Sequence, residues 1–321
     1  MSDTSNTTAQ LRASGLNGRV AIVSGGARGI GLAITRDLLQ HGASVLILDA
    51  GVSIDGQSDQ PNLASDVAQQ LEAEAPGRIL ALCGDVGDDH SARAAVQLVQ
   101  ERFGALDIVV NNAAIIRDAF IFKADPAAWD ATLRTNLSGA FRLLAAATPV
   151  MREAAKTRTP GAIINLLSTA GFYGNFGQSA YGSAKAGLFG LTRVVAHDLA
   201  RAGINVNAVI PFAATRVTES IQAANEAQAA YKAQALQVPA SYVARLVSWL
   251  ASPAARHVSG QLFGVRGREL MLFSQPRPVA QLLAPQGGWT LDALGEAMQQ
   301  CEPAFTELIT DLEAFAAAPV L

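Results

Sequence analysis

Tyr181 and Lys185 lie four residues apart in Tyr-Gly-Ser-Ala-Lys, and Ser168 stands thirteen residues upstream. Four residues make roughly one helical turn, so the phenol and the ammonium share a helix face. A free phenol, with a pKa of about 10, is a poor base at neutral pH. A cation beside it favours the phenolate and lowers that pKa. A serine hydroxyl in the same cleft can hold a substrate oxygen. The three groups together can move a proton on and off an alcohol. Read singly, Ser168 would cap a turn and Lys185 would be a solvated helix charge; their spacing to Tyr181 argues for a shared site.

Proton transfer alone does not oxidise an alcohol, and a second pattern supplies what is missing. Residues 20–31 read Val-Ala-Ile-Val-Ser-Gly-Gly-Ala-Arg-Gly-Ile-Gly. An apolar strand feeds a glycine-rich turn that opens a helix. Glycines let the backbone approach a diphosphate, and the free N–H groups of the helix start face it. Gly25, Arg28, Gly29, Ile30 and Gly31 are therefore candidate cofactor contacts, although the spacing departs from Gly-x-Gly-x-x-Gly. Asp49 ends the next strand, eighteen residues after Gly31. A carboxylate there accepts hydrogen bonds from ribose hydroxyls and repels a 2′-phosphate, which favours NAD over NADP. Arg28 pulls slightly the other way. Asp85 and Val86, just after the third strand, are placed to contact adenine; Asp85 reads equally as a turn or helix-cap carboxylate.

The elements that must carry these groups alternate. Strands are expected at 19–24, 44–49, 79–83, 108–111, 162–167 and 205–210. Helices are expected at 29–41, 66–75, 91–103, from 127 into the 150s, and 179–202. Apolar strands separated by helices imply a parallel sheet covered on both faces. Past Gly264 the rhythm changes to Pro276, Pro278, Pro285 and Gly287-Gly288. A helix is expected after Thr290, which can cap it, with Asp292 in the first turn. Phe305, Leu308, Ile309, Leu312 and Phe315 follow as an apolar stripe at helical spacing.

Composition narrows the class. Half of the 321 residues are hydrophobic and 16% are charged, enough for a sizeable core. A net charge of −3 gives no reason to expect nucleic acid as a partner. Cys83 and Cys301 are far apart, and His41, His90, His197 and His257 show no ligand spacing, so neither a disulfide framework nor a metal site is expected. No apolar run approaches the ~18 residues of a membrane span, and the polar first dozen residues are not a signal peptide. The expectation is a cytoplasmic protein acting on a small molecule.

Taken together, Ser24-Gly25-x-x-x-Gly29-x-Gly31, Asn111-Asn112-Ala113-Ala114, Asn136, Ser168 and Tyr181-x-x-x-Lys185 resemble the short-chain dehydrogenase/reductase family. The resemblance spans residues 18–264. It implies an α/β fold of Rossmann type, three layers with about seven parallel strands, and it adds Asn112 to the cofactor contacts. It also implies a Ser168–Tyr181–Lys185 centre assisted by Asn136, which in the family helps hold a water linking the lysine to solvent. Three positions depart from the family pattern: Ser24 for threonine, Ala114 for glycine, and Phe212 for the glycine after Pro211. Thr215 or Thr218 can supply the hydroxyl that meets the carboxamide.

A narrower resemblance, over 111–141, 171–185 and the 51–56 loop, is to the 3-hydroxyacyl-CoA dehydrogenase domains of peroxisomal multifunctional enzymes type 2, also called 17β-hydroxysteroid dehydrogenases type 4. It implies a 3-hydroxyacyl-CoA thioester as substrate, with a bulky apolar alcohol such as a hydroxysteroid as the alternative. A CoA substrate needs basic residues at the cleft rim, for which Arg117 and Lys123 are candidates. Phe172, Tyr173 and Phe176 read equally as pocket lining and as core. The expected organisation is a flexible segment over 1–15, a catalytic domain over 16–266, and an extension over 267–321 that packs on the cleft or on a partner subunit. A homodimer or homotetramer is expected.

Overall fold

A computed structural model describes residues 15–220 and 226–321. The segment expected to be flexible therefore lies outside the described residues, except for Gly15. Eight strands form one sheet: β1 (Val20–Ser24), β2 (Ser44–Asp49), β3 (Ile79–Cys83), β4 (Ile108–Asn111), β5 (Ala162–Leu166), β6 (Asn205–Phe212), β7 (Leu262–Arg266) and β8 (Glu269–Phe273). Their order is β3-β2-β1-β4-β5-β6-β7-β8. The first seven run parallel, as the apolar runs imply. β8 is added antiparallel by a tight hairpin, Leu262 opposite Phe273 and Arg266 opposite Glu269. The strand count thus rises from the seven expected to eight, because the segment past Arg266 turns straight back onto the sheet.

Strand alternation sends successive side chains to opposite faces. Ala21, Val23, Val45 and Ile47 pack with Ile34 and Leu38 of the helix Gly29–Gln40 and with Val243 and Val247 of the helix Ser241–Leu250. Val20, Ile22, Leu46 and Leu48 pack the other way, against Val96 and Val99 of the helix Asp89–Phe103 and Leu143 and Met151 of the helix Gly139–Ala154. Each such Val, Ile, Leu or Met side chain contributes about 1.5–3 kcal/mol on burial, which fixes both helical layers to the sheet.

Chain order reverses between β1 and β4. Those strands are neighbours, with Ser24 opposite Asn111 at their carboxyl ends. In an open α/β sheet this is where a crevice forms.

Two expectations about helices need amending. The helix expected from Ala127 into the 150s forms, from Pro126 to Ala154, but it contains a π turn: Pro126–Leu133 passes through Arg134–Ser138 into Gly139–Ala154 with helical backbone throughout. The turn itself, Arg-Thr-Asn-Leu-Ser, is mostly polar, and its residue types carry no signal of an extra residue in the helix. The stripe from Phe305 to Phe315 is not one helix. Only Asp311–Ala314 is helical, behind a capping box of Thr310 and Glu313. Phe305 and Leu308 stand exposed, whereas Leu312 and Phe315 turn inward against the domain. The helix Leu291–Cys301 forms as expected, with the Thr290 hydroxyl accepting from the Ala293 amide.

Candidate active site

The glycine turn sits at the mouth of the crevice and is held from below. Asn112 Nδ2 donates to the carbonyls of Ser24 at 3.0 Å and Gly25 at 2.9 Å. Ser24 Oγ, which stands where the family pattern has threonine, accepts from the amides of Asn112 at 3.1 Å and Ala113 at 3.2 Å. Gly31 packs so tightly that a Cβ would run into the Gly25 carbonyl and lie 2.6 Å from Asn112 Nδ2. Gly25, at φ +62°, would put its Cβ 2.8 Å from Ala113 Cα. Side chains are excluded here by backbone on the far side, which leaves the near side open.

That open side is a cavity of about 550 Å³ lined by Gly25, Arg28, Gly29, Ile30, Gly31, Asp49, Asp85, Val86, Asn112, Tyr181 and Lys185. Every expected cofactor contact lies on its wall. Asp49 Oδ2 accepts from the Ala27 amide at 3.1 Å and Oδ1 from the Gly51 amide at 2.9 Å, so the buried carboxylate ties the glycine turn to the next loop. Arg28 leans away from the turn. Its guanidinium pairs with Asp59 at 3.1 Å and donates to the Val52 carbonyl at 2.5 Å. Asp85 serves as a turn carboxylate, accepting from the Gly87 amide at 2.7 Å, and also pairs with Arg134 at 2.7 Å. The loop from Gly51 crosses the cavity: the Ile54 carbonyl accepts from the Ile116 amide at 2.8 Å, and the Asp55 carbonyl from Arg117 Nε at 2.6 Å. Arg117, a candidate for a CoA phosphate contact at the cleft rim, therefore lines this cavity.

The second cavity, about 470 Å³, is lined by Ser168, Thr169, Tyr181, Phe212, Asp118, Tyr231, Arg266 and Asp311 among others. Ile30, Leu167, Tyr181, Pro211 and Thr215 belong to both walls, so the two spaces meet at the phenol. Tyr181 and Lys185 arrive on one face of the helix Ser179–Leu199, as the spacing requires. Ser168 arrives at the end of β5, where its Oγ accepts from the Ala170 amide at 3.2 Å and starts a 3₁₀ turn. It caps a turn and faces the phenol at once.

The electrostatics differ from the expectation that Lys185 lowers the Tyr181 pKa. Burial pushes the phenol up to about 12; the Ser168 hydroxyl draws it down, and the carboxylates of Asp118 and Asp311 push it further up. Burial brings the Lys185 amine down to about 8. The amine sits 5.6 Å from the centre of the Tyr181 ring and spends a hydrogen bond on the Leu166 carbonyl at 2.7 Å. A buried, tethered amine of lowered proton affinity does not offset the cost of burying a phenolate.

Asn136 lies buried in the π turn and does not line either cavity. Thr215 lines both cavities, whereas the Thr218 hydroxyl is spent on the Ala213 carbonyl at 2.9 Å. Of the aromatic trio only Phe176 lines the second cavity; Phe172 packs edge-on against Phe189, and Tyr173 against Phe315.

Sequence reasoning missed Asp118, Tyr231, Arg266 and Asp311, which the fold brings together from four distant stretches. The tail supplies one wall: Asp311, Leu312, Ala317 and Pro319 face Ser168 and Tyr181 across the cavity. Phe315 anchors it against Phe212, at 4.8 Å between ring centres. Phe212, the departure from glycine, is thus the seat on which the tail rests. Among the described residues no helix is long and apolar enough to cross a membrane.

A family model described as short chain dehydrogenase matches residues 19–229. The chain is 35% identical over 286 residues to the hydroxyacyl-CoA dehydrogenase ChsB1 of Mycobacterium tuberculosis, covering 85% of each protein. It is 36% identical over 260 residues to the 3-oxoacyl-[acyl-carrier-protein] reductase FabG of Thermotoga maritima, covering 78% of this chain and 98% of that protein. The crystal structure of a short chain dehydrogenase from Mycobacterium avium superposes with a TM-score of 0.77 at 33% identity, covering 92% of this chain and 98% of that one. With the strand order, the glycine turn and the Ser168–Tyr181–Lys185 cluster in hand, the chain belongs to the short-chain dehydrogenase/reductase family, whose members are oxidoreductases that bind a nicotinamide dinucleotide.

Proposed function

We propose that the protein interconverts a secondary alcohol and a ketone on a 3-hydroxyacyl-CoA thioester, with NAD as cofactor. The observation that carries this reading is the single phenol, Tyr181, shared by a cavity walled with a glycine turn and a second cavity with an aromatic seat. The narrower resemblance to the dehydrogenase domains of multifunctional enzymes type 2, and the names of the two relatives, support an acyl thioester over other alcohols.

A nicotinamide dinucleotide bound in the larger cavity supplies hydride acceptance and donation. The residues fit such a group: the turn from Gly25 to Gly31 would hold the diphosphate, Asp49 the adenosine ribose, Asp85 and Val86 the adenine, and Thr215 the carboxamide. Asn112 keeps the turn in shape, and Lys185 would hold the second ribose of the dinucleotide, beside Tyr181. Asp49 disfavours a 2′-phosphate by its charge, and Arg28, already paired with Asp59, offers little attraction in return.

In reduction the Tyr181 phenol gives its proton to the oxygen of the forming alcohol; in oxidation the phenol first loses its own proton, and the phenolate then takes the hydroxyl proton. Ser168 Oγ donates a hydrogen bond to the substrate oxygen as charge develops there. Asn136 acts by positioning, through the loop after β4. Self-association fits the same picture, since Phe141 and Val194 stand exposed on the helices Gly139–Ala154 and Ser179–Leu199.

Purified protein incubated with NAD and, in parallel, 3-hydroxyacyl-CoAs and hydroxysteroids tests the reading through NADH formation. Turnover of the thioesters is expected. In Tyr181→Phe it should fall by about 10²–10⁴-fold with NAD affinity retained. Turnover of the steroids alone would overturn the substrate, and near-native turnover in the variant would overturn the role of the phenol.

A further inference from the structure

Two carboxylates in the smaller cavity neither give nor take the proton of the reaction, although both raise the proton affinity of the Tyr181 phenol. Asp118 lies in the loop after β4, and its Oδ2 accepts from Gln178 Nε2 at 2.8 Å. Asp311 comes from the tail. Its Oδ2 accepts from the Thr169 hydroxyl at 2.9 Å, its amide donates to the Gly174 carbonyl at 3.2 Å, and its Oδ1 is buried without a partner. Neither carboxylate forms an ion pair among the described residues. Partial desolvation raises the proton affinity of both, although only Asp311 is half-buried and Asp118 keeps contact with solvent.

Arg266, a cation on the same wall, is already committed. Nε and Nη2 donate to Glu269 at 2.7 and 3.1 Å, and Nη1 donates to the carbonyls of Phe315 at 3.0 Å and Ala317 at 2.8 Å. These bonds use at least four of the five guanidinium N–H groups. The space against Tyr181 is thus bounded by two negative charges and a cation that is occupied elsewhere.

We propose that Asp118 and Asp311 are specificity-determining residues that restrict the cavity to substrates uncharged around the reacting carbon, so that a thioester enters and the corresponding free 3-hydroxy acid is turned away. The inference rests on the reading of this cavity as the substrate site. A free acid would bring a third carboxylate into a space of about 470 Å³ beside the half-buried Asp311 and the more open Asp118, and juxtaposed like charges cost up to several kcal/mol. A thioester carbonyl carries no such charge, and the phosphates of a CoA carrier lie at the far end of a long pantetheine arm, outside the cavity.

The test compares the N-acetylcysteamine thioester of 3-hydroxybutyrate with free 3-hydroxybutyrate as substrates of the NAD-loaded enzyme at pH 8, where carboxylates are ionised. The ratio of their kcat/KM values is measured for the native protein, Asp118→Asn, Asp311→Asn and the double variant. Asparagine keeps the acceptor for Gln178 and for Thr169, so the fold is expected to survive; a melting curve and NAD titration identify any variant in which it does not. The ratio should favour the thioester in the native protein, fall by roughly tenfold or more in each single variant, and fall further in the double. It should also narrow as salt is raised in the native protein and less so in the variants. A ratio that folded variants leave unchanged overturns the inference. If the native enzyme oxidises neither compound, the proposed reaction is what fails. Charge selection is then read from binding of acetoacetate against acetoacetamide to the NADH-loaded protein, and equal affinities overturn it.

Discussion

Asn136 and Ile115 close a reciprocal pair of hydrogen bonds. The asparagine Oδ1 accepts from the Ile115 amide at 2.8 Å, and its Nδ2 donates to the Ile115 carbonyl at 2.8 Å. A side chain in the π turn thereby replaces a strand neighbour for the loop that leaves β4. Both partners are buried. Asn136→Ala orphans a donor and an acceptor away from water, at ~1–3 kcal/mol each. We expect the variant to lose about 2–6 kcal/mol in urea denaturation. Activity should fall because the loop carries Ile116 and Asp118 into the second cavity. A variant of native stability would show that the pair does not hold the loop.

The same residue marks the limit of what the sequence reveals. Parallel strands covered on both faces must be apolar throughout, so β1, β2, β4, β5 and β6 stand out as short runs of Val, Ile and Leu. The glycine turn stands out because its close approaches tolerate no side chain. Spacing alone puts Tyr181 and Lys185 on one helix face. A π turn leaves no such trace: its one extra residue turns the stripe by about 100°, but the polar Arg-Thr-Asn-Leu-Ser and the alanine-rich helix after it blur that shift. The tail misleads for a related reason. The 3–4 spacing from Phe305 to Phe315 reads as a helix, yet Leu312 lines the second cavity and Phe315 finds its partners in Phe212 and Tyr173, supplied by distant strands and loops. Asp118 and Asp311 become neighbours of the phenol only through that tertiary packing, and nothing local to either predicts it.

Gly31 provides a sharper test of the nucleotide cavity. An added methyl would collide with the Gly25 carbonyl and crowd Asn112 Nδ2, and neither can retreat, since Asn112 is held by two carbonyls. Gly31→Ala must therefore open the turn. Overpacking of this kind costs typically ~1–3 kcal/mol, and here the strain falls on the backbone that would face the diphosphate. We expect NAD affinity measured by calorimetry to drop by at least about tenfold while the sheet remains folded by circular dichroism. Retained affinity would separate the turn from cofactor binding.

The buried pair Tyr181 and Lys185 gives the cofactor-free protein a definite pH profile. The amine falls from 10.5 in the open chain to about 8 when folded. Between those values the unfolded chain binds the extra proton, so stability rises with pH, and this contribution is lost as pH falls back through 8. The phenol rises from 10.0 to about 12 on folding. Its contribution is fully present below pH 10 and is lost as pH climbs towards 12. Urea denaturation of the native protein from pH 8 to 10 should therefore show a rise from Lys185 approaching 1.4 kcal/mol per pH unit. Lys185→Met should lack that rise, and a variant that keeps it would mean that another group carries the proton.

Arg266 decides whether the tail stays over the second cavity. Its guanidinium holds the carbonyls of Phe315 and Ala317 from within a hairpin of the sheet, and Glu269 fixes its orientation at 2.7 Å. Its charged carbon also lies 6.0 Å from the Phe315 ring centre. Arg266→Met keeps most of the side-chain volume and removes every one of these polar contacts. Charge-assisted hydrogen bonds contribute about 1.5–3 kcal/mol each, so local opening of the tail should become far more frequent. Limited proteolysis with chymotrypsin should then cleave at Phe315 in the variant at protease concentrations that leave the native protein intact. The substrate KM should rise while NAD affinity stays unchanged, because the tail walls only the smaller cavity. Equal protease resistance in the two proteins would mean that the aromatic seat formed by Phe212 and Tyr173 holds the tail without the arginine.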